Sequence, residues 1–472
     1  MLYAATMMDL SHLVQPDIGQ PARLLHLVDK AGLAAWLASA PPRVRNHLAA
    51  MRFTARPHDL VVVPGDTADE WSVVLGVADV ANLRPWCLAK APEVLAADTF
   101  RLAGDVRPGD AVIGWALAQH RLTTYKKPEE NPQGSRVLLT GDPARLPDRI
   151  AEAEATAWVR DMVNTPAEDM GPGDLESAAE ALARRYGATL EVTRGDALAT
   201  GYPMIHAVGR AAARSHAPRL IELHWGREDH PRVAIIGKGV CFDSGGLDIK
   251  LAAGMLLMKK DMGGAAHALA LAQLIMRAGL PVRLHMLVGA VENAISGNAF
   301  RPGDVLRSRK GITVEIGNTD AEGRLVLGDC LAKASETPPD VMINFATLTG
   351  AARVAVGPDL PALFANSDPL ADGLVASGRA VGDPCWRLPL WPGYEDMYVS
   401  DIADIGNSGG AFAGAITAAL FLQRFVGEGV PWAHFDTYAW RPTPRPGQPK
   451  GGEALGLRAS WHYLRGRYGA AG

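Results

Sequence analysis

The sequence predicts an α/β protein of two domains: a smaller N-terminal α/β domain over residues 1–150, and a larger C-terminal domain over residues 151–472. The larger domain is expected to hold a mostly parallel sheet covered by helices on both faces. Three observations carry this expectation. At 472 residues the chain is too long for one ordinary core. Its second half alternates apolar β-branched runs with helical periodicity, the pattern of parallel strands joined by crossover helices. Between the halves a helical pattern from Ala151 to Asn164 gives way to Thr165-Pro166 and Met170-Gly171-Pro172-Gly173, so residues 151–175 read as a bridging helix and loop.

In the first half, Leu60–Val63, Trp71–Leu75 and Arg136–Leu139 read as strands, and Asp110–Leu122 as an amphipathic helix. Lys126-Lys127-Pro128-Glu129-Glu130-Asn131-Pro132 is a loop by composition, its two lysines a solvated turn. No catalytic constellation is visible there. In the second half Leu190–Val192 is followed by a short helix, then by the strands Leu220–Trp225 and Val233–Gly237. A long helix is expected from Gly264 to Ala278, a strand from Val282 to Val291 and another from Ile312 to Ile316. The series continues with a helix from Gly323 to Ser335, a strand from Val341 to Ala346, a helix from Ala413 to Phe425, a strand from Trp432 to Asp436 and a last helix after Gly452. In such sheets chemistry gathers at the carboxyl ends of the strands.

Composition narrows the class. Apolar residues make up 48% and charged residues 21%, as in soluble globular proteins, and the 50 glycines and 33 prolines imply many turns without a repeat of fixed period. A net charge of -4 recommends neither nucleic acid nor an anionic membrane as partner. The four cysteines, Cys87, Cys241, Cys330 and Cys385, are far apart, which argues against a disulfide framework or a cysteine-zinc site and suits a reducing, cytoplasmic compartment. Met1–Gln15 lacks the basic start of a signal peptide, and no run of 18 apolar residues suggests a membrane span.

Chemistry concentrates in two stretches. Asn318-Thr319-Asp320-Ala321-Glu322-Gly323-Arg324 places two acids and a guanidinium at alternate positions after an apolar run. If the extended geometry persists, Asp320, Glu322 and Arg324 face one side. Alone, this heptapeptide reads equally as a solvated ion cluster or as a catalytic site. Upstream, the strand ending at Ile236 enters Gly237-Lys238-Gly239-Val240-Cys241-Phe242-Asp243-Ser244-Gly245-Gly246-Leu247-Asp248-Ile249-Lys250, followed by Met258-Lys259-Lys260-Asp261. A phosphate cradle is the first reading of a glycine-rich turn after a strand, but there is no G-x-G-x-x-G and no Lys-Ser or Lys-Thr after the glycines. The glycines are expected instead to bend the backbone tightly and deliver Lys238, Asp243, Lys250 and Asp261 to one mouth. With Asp320 and Glu322 that makes four carboxylates, which repel one another unless cations balance them. Carboxylate sets of this kind commonly hold two divalent metals about 3.5–4 Å apart. A lysine joins such a set as ligand only if neighbouring dications leave its amine neutral.

Together with Asn344–Ala351, Ser400–Asp404 and Ala413–Thr417, these residues closely resemble the leucyl (cytosol) aminopeptidases, dinuclear metallo-exopeptidases, over most of residues 155–440. The resemblance implies that Lys238, Asp243, Asp261 and Glu322 hold one metal, and that Asp243, Asp320 and Glu322 hold the second, both Zn or Mn. It implies that a metal-bridging water attacks the first peptide bond of substrates with a free N-terminus. Lys250 would stabilise the oxyanion and Arg324 would hold a bicarbonate as general base. Met258, Asn318, Thr347 and Gly350 would contact substrate, in a pocket for apolar first residues that Trp440 narrows. A homohexamer is implied as well. Two other readings stand beside it: a DNA-binding or scaffold protein on the same fold, and a metal-dependent phosphohydrolase. Several residues are read as structural: His267 as a packing residue, His224, His285 and His434 as interior histidines, Cys241 and Cys330 as small apolar groups. Ser244 lacks the G-x-S-x-G frame of a nucleophile.

Overall fold

The computed structural model describes residues 8–67, 69–127 and 134–469, and these fall into two compact units. One comprises residues 8–157 and 443–450; the other comprises 158–442 and 451–472 as far as they are described. The helix Leu146–Asn164 runs through the division and starts five residues before the expected bridge, because Pro147 is tolerated in a first helical turn. Of the expected loop at 126–132, Lys126 and Lys127 are exposed, while residues 128–132 lie outside the described residues, as do residues 1–7 of the amino-terminal segment.

The smaller unit has a six-stranded sheet. Its strands are β1 (Val14–Pro16), β2 (Arg23–Val28), β3 (Leu60–Pro64), β4 (Trp71–Gly76), β5 (Thr99–Leu102) and β6 (Val137–Thr140), in the order β1-β6-β5-β2-β4-β3. Only β3 runs antiparallel to its neighbour. The helix expected at 110–122 is shorter, Ala111–Leu117, and is buried at every position instead of amphipathic. Its Gly114 lets it lie against the chain at Pro85, where a Cβ would meet the Pro85 carbonyl oxygen at 2.1 Å. Trp115 is fully buried and donates its indole N–H to the Arg136 carbonyl.

The larger unit is built on an eight-stranded sheet. In chain order its strands are β7 (Thr189–Arg194), β8 (Arg219–Trp225), β9 (Arg232–Asp243) and β10 (Arg283–Asn293). After β11 (Val305–Arg307) and β12 (Thr313–Glu315), which belong to a small separate sheet, come β13 (Val341–Ala346), β14 (Ala362–Ala365) and β15 (Trp386–Arg387). They are followed by β16 (Ile405–Gly406), the third strand of the small sheet, then β17 (Trp432–Asp436) and the short pair β18 (Trp440–Arg441) and β19 (Gly451–Gly452). The large sheet has the order β15-β14-β17-β13-β9-β10-β8-β7. Its centre, β17-β13-β9-β10, is parallel, and β8, β7 and β14 pair antiparallel on the flanks. The segment 312–316 therefore does not continue the main series.

Two glycines explain how tightly helices cover the centre. A Cβ on Gly237 of β9 would sit 2.6 Å from the Gly264 carbonyl oxygen, and one on Gly264 would sit 2.2 Å from the Phe345 carbonyl oxygen. The helix Gly263–Arg277 thus packs directly on β9 and β13, and all of its residues from Gly263 to Met276 are buried. These glycines serve close packing and not a bend. β9 runs on through Lys238 to Asp243, and the chain turns only at Gly245 and Gly246, with φ of +88° and +65°.

Candidate metal centre

The carboxyl ends of β9, β13 and β17 open on one cleft of about 780 Å³ in the larger unit. All eleven residues singled out in the sequence line it: Lys238, Asp243, Lys250, Met258, Asp261, Asn318, Asp320, Glu322, Arg324, Thr347 and Gly350. How they arrive there differs from simple strand alternation. Lys238 and Asp243 are five apart on β9 and would face opposite sides of a regular strand. The pairing with β10 runs Lys238 with Gly289 but Asp243 with Asn293, five residues against four. This β-bulge between Val240 and Asp243 restores both side chains to one face.

The turn after β9 returns the chain on itself. A Cβ on Gly245 would meet the Asp248 carbonyl oxygen at 2.5 Å, and Lys250 N–H donates to the Ser244 carbonyl at 3.0 Å. Lys250 is thereby set 2.8 Å from Asp243 Oδ2 and also ion-paired with Asp320. The turn is fastened to the second motif by Asp248, whose Oδ2 accepts from Thr319 N at 2.7 Å while its own N–H donates to Thr319 Oγ1 at 2.8 Å. Asp261 lies in the 3-10 turn Met258–Met262 and accepts from Thr347 Oγ1 at 2.8 Å.

The heptapeptide does not form the extended strand end that alternation required. β12 ends at Glu315, Asp320 sits in a turn held by the Asn318 side chain, and Glu322 and Arg324 already belong to the helix Glu322–Ser335. Asp320 and Glu322 converge because a turn leads straight into a helix. Asn407, absent from the sequence reading, fixes that turn: its side chain accepts from Gly317 N and Asn318 N and donates to Asn318 O, at 2.8, 3.1 and 2.7 Å. Arg324 is buried, donates to the Asn407 carbonyl at 2.8 Å and leaves its Nε without a hydrogen bond.

Burial and charge are extreme for a set of this kind. Lys238, Asp243, Asp261 and Glu322 are each no more than 2% exposed. Lys238 Nζ lies 2.6 Å from Asp261 Oδ2 and 2.9 Å from Glu322 Oε1. Burial opposes its charge, but Asp261, Glu322 and Asp243 outweigh that and hold it well above the ordinary lysine range. Burial and then Asp243 push Asp320 up to about 6. Burial, then Asp243, and further on Asp261, push Glu322 up to about 8 against the pull of Lys238. For Asp261 burial is outweighed by Lys238 and Lys260, and its acid is strengthened.

This donor set fits divalent cations. One ligand oxygen each from Asp243, Asp320 and Glu322 lies within 4.8 Å of the others. Asp261 Oδ2, Asp320 Oδ1 and Glu322 Oε1 are buried and accept no hydrogen bond of regular geometry, although lysine nitrogens stand at ion-pair distance. Such oxygens are under-satisfied acceptors pointed at a shared space, the arrangement a hard cation completes.

Around this cluster the cleft holds residues that the sequence left unmarked. Asp436, at the end of β17, accepts from Leu348 N, Thr349 N and Thr349 Oγ1, and burial pushes it up to about 6. Tyr438 lines the cleft, with Arg353 4.8 Å and Lys260 5.6 Å from its ring centre. Trp440 does not: it is buried in β18, paired with Gly452, so the residue that narrows the cleft is Tyr438, two positions earlier. The only sequence signal for it was its place just beyond β17. The residues read as structural behave so in several cases. His267 bonds to Gly263 O and accepts from Leu455 N, and Ser244 Oγ donates to Asn293 O at 2.6 Å. His434 is buried, but its Nε2 has no hydrogen-bond partner.

Comparison with known proteins agrees with this geometry. The catalytic-domain profile of the cytosol aminopeptidase family matches residues 157–460, and the profile of the M17 aminopeptidase N-terminal domain matches residues 24–139. A probable cytosol aminopeptidase of Roseiflexus castenholzii is 40% identical over 369 residues, 75% of either chain. The crystal structure of cytosol aminopeptidase from Coxiella burnetii superposes with a TM-score of 0.91 at 43% identity, covering 97% of this chain and 99% of that one. The bottromycin maturation enzyme BotP in complex with Mn superposes with a TM-score of 0.84 at 32% identity, covering 95% and 100%. With two domain profiles in their proper order and more than half the chain matched by one of them, the chain belongs to the cytosol aminopeptidase family.

Proposed function

We propose that the cleft binds two divalent ions, Zn or Mn, and removes the first residue from peptides with a free N-terminus. Membership of the family makes the chain a metal-dependent aminopeptidase; the assignment of individual residues is our reading. The observation that carries it is the convergence of four carboxylates, three of them with an under-satisfied, buried oxygen, beside two lysines. Lys238, Asp243, Asp261 and Glu322 would hold one ion, and Asp243, Asp320 and Glu322 the other. Bound there, the ions supply Lewis acidity toward a peptide carbonyl and an acidified water for attack on it.

The two lysines carry balancing charge, each spanning two carboxylates. Lys238 would serve as a ligand through a neutral amine, and Lys250, the more exposed of the two, would stabilise the oxyanion at the substrate carbonyl with its ammonium. Arg324, with a buried Nε left over, would hold a bicarbonate serving as general base. Met258, Asn318, Thr347 and Gly350 face substrate, and Tyr438 closes the pocket for the first side chain in place of Trp440. The BotP complex with Mn supports manganese as one occupant. Residues 1–150 serve assembly or regulation, six chains form the working particle, and the cytoplasm is the compartment in which we expect it.

The phosphohydrolase and DNA-binding readings are not favoured, since relatives over most of the chain are aminopeptidases. The test is release of free amino acid from unblocked dipeptides and aminoacyl amides by protein loaded with Zn²⁺ or Mn²⁺. Asp320→Ala is expected to lower the metal content by one ion per chain, lost from the cleft, and to cut turnover severely. Full activity in that variant would overturn the site assignment.

A further inference from the structure

At the far end of the same sheet lies a second group of ligand-type side chains that the aminopeptidase reaction does not use. Glu222 and His224 are two apart on β8 and so share a face of the sheet, and His285 of β10 stands directly opposite His224 in the antiparallel register. His285 also pairs with Ala234 of β9, four residues before Lys238 and nine before Asp243, which puts this group roughly 13 Å along the strand from the nearest member of the cluster in the cleft. One donor atom from each of Glu222, His224 and His285 lies within 4.8 Å of the other two.

The local geometry is that of a prepared site. His285 Nε2 is 2.9 Å from Glu222 Oε2, and the two imidazoles stack with centroids 4.3 Å apart and planes 22° from parallel. Glu222 is 4% and His285 9% exposed, while His224 is half-buried and leaves a way in from solvent. The other Glu222 oxygen is held by Tyr202 Oη at 3.3 Å, and Arg309 lies 4.4 Å over the Tyr202 ring, an outer layer of the kind that orients a metal-binding carboxylate. The partner ion-paired with this buried carboxylate is an imidazole, with Lys333 acting only from further away. Burial, together with His285, lowers the basicity of His224. Ring nitrogens of both histidines stand beside the Glu222 carboxylate, in reach of one shared ion.

We propose that Glu222, His224 and His285 bind a single divalent ion of the zinc class, which clamps β8 to β10 and is independent of the ions in the cleft. Two imidazoles and one carboxylate are a donor set suited to Zn²⁺, with a fourth position left to water. Binding needs only small side-chain rotations to bring three donors already grouped within 4.8 Å to ligand distance.

The experiment uses the full chain, stripped with a chelator, reloaded with Zn²⁺ and passed through gel filtration. Elemental analysis should give three zinc ions per chain, and crystals of that protein should show an anomalous peak at the zinc edge between the three side chains. His224→Phe, which keeps the stacking surface, and Glu222→Gln should each hold two ions, with aminoacyl-amide hydrolysis within twofold of the unsubstituted protein. Absence of the anomalous peak overturns the proposal, as does zinc that is lost on gel filtration or the same content in His224→Phe as in the unsubstituted chain. The map on the unsubstituted protein decides the matter even if a variant folds poorly, and failure here leaves the dinuclear centre untouched.

Discussion

Lys250 is the residue we propose as oxyanion donor. It pairs with Asp243 and Asp320, and its side chain is 16% exposed, against 3% for Lys238. Lys250→Ala is therefore expected to lower kcat by about 10²–10³-fold, the usual loss on removing an oxyanion donor, while the metal content of the unsubstituted chain is retained. Elemental analysis beside steady-state kinetics reads both. His434 carries a different prediction. Burial drops its ring to about 3, its Nδ1 bonds to Asn344, and it stacks between Phe364 and Trp432. Because the folded ring binds its proton more weakly than the unfolded one, its contribution to stability is complete above the ordinary histidine value near 6.5 and is lost as pH falls toward 3. Thermal midpoints should fall between pH 7 and pH 4, and His434→Leu should remove part of that slope. Residue types at the centre could be read from the chain, because carboxylates and lysines are rare in apolar surroundings. Asn407 could not: an asparagine more than eighty residues away carries no local sign that it will hold a turn.

Among elements, the contact of the helix Gly263–Arg277 with β9 and β13 is the one on which the site depends. Asp261 sits immediately before this helix, and Lys238 and Thr347 sit on or beside the two strands. Gly264→Ala would place a methyl 2.2 Å from the Phe345 carbonyl oxygen and 2.8 Å from Lys238 N, so the helix must lift. A loss on the order of 1–3 kcal/mol in denaturant unfolding is expected, as for overpacked cores. Activity should fall further than stability, since Asp261 moves with the helix. An unchanged unfolding midpoint would show that the contact is looser than described. The strand and helix types were legible through their periodicity, but the bulge in β9 was not. It is visible only as a register against β10, and it reverses the face on which Asp243 would otherwise lie.

For the whole molecule, each unit contains its own sheet and its own core, with Leu25, Phe100 and Trp115 central to one and Ile236, Leu325 and Phe421 to the other. The smaller unit also takes residues 443–450 from far along the chain, a return that no local pattern announces. Among the described residues no helix is long and apolar enough to cross a membrane. The proposed assembly has a direct measurement: sedimentation equilibrium should give six times the chain mass of 50.1 kDa, and a monomer at micromolar concentration would exclude it.

By itself the sequence determined the α/β class, the order of most strands and helices in the larger domain, and the charged residues gathered in the cleft, which follow from periodicity and from residue types whose burial has to be compensated. Met258, Thr347 and Gly350 came only with the resemblance to a known family. The tertiary structure alone decided how they meet. It put a bulge where a bend was expected and a turn into a helix where an extended strand end was expected. It also set Tyr438 in the cleft and Trp440 in the core. The reason is that strand register, close helix packing and the choice of face depend on partners distant in the chain, and a one-residue change of register inverts which side chains reach the site.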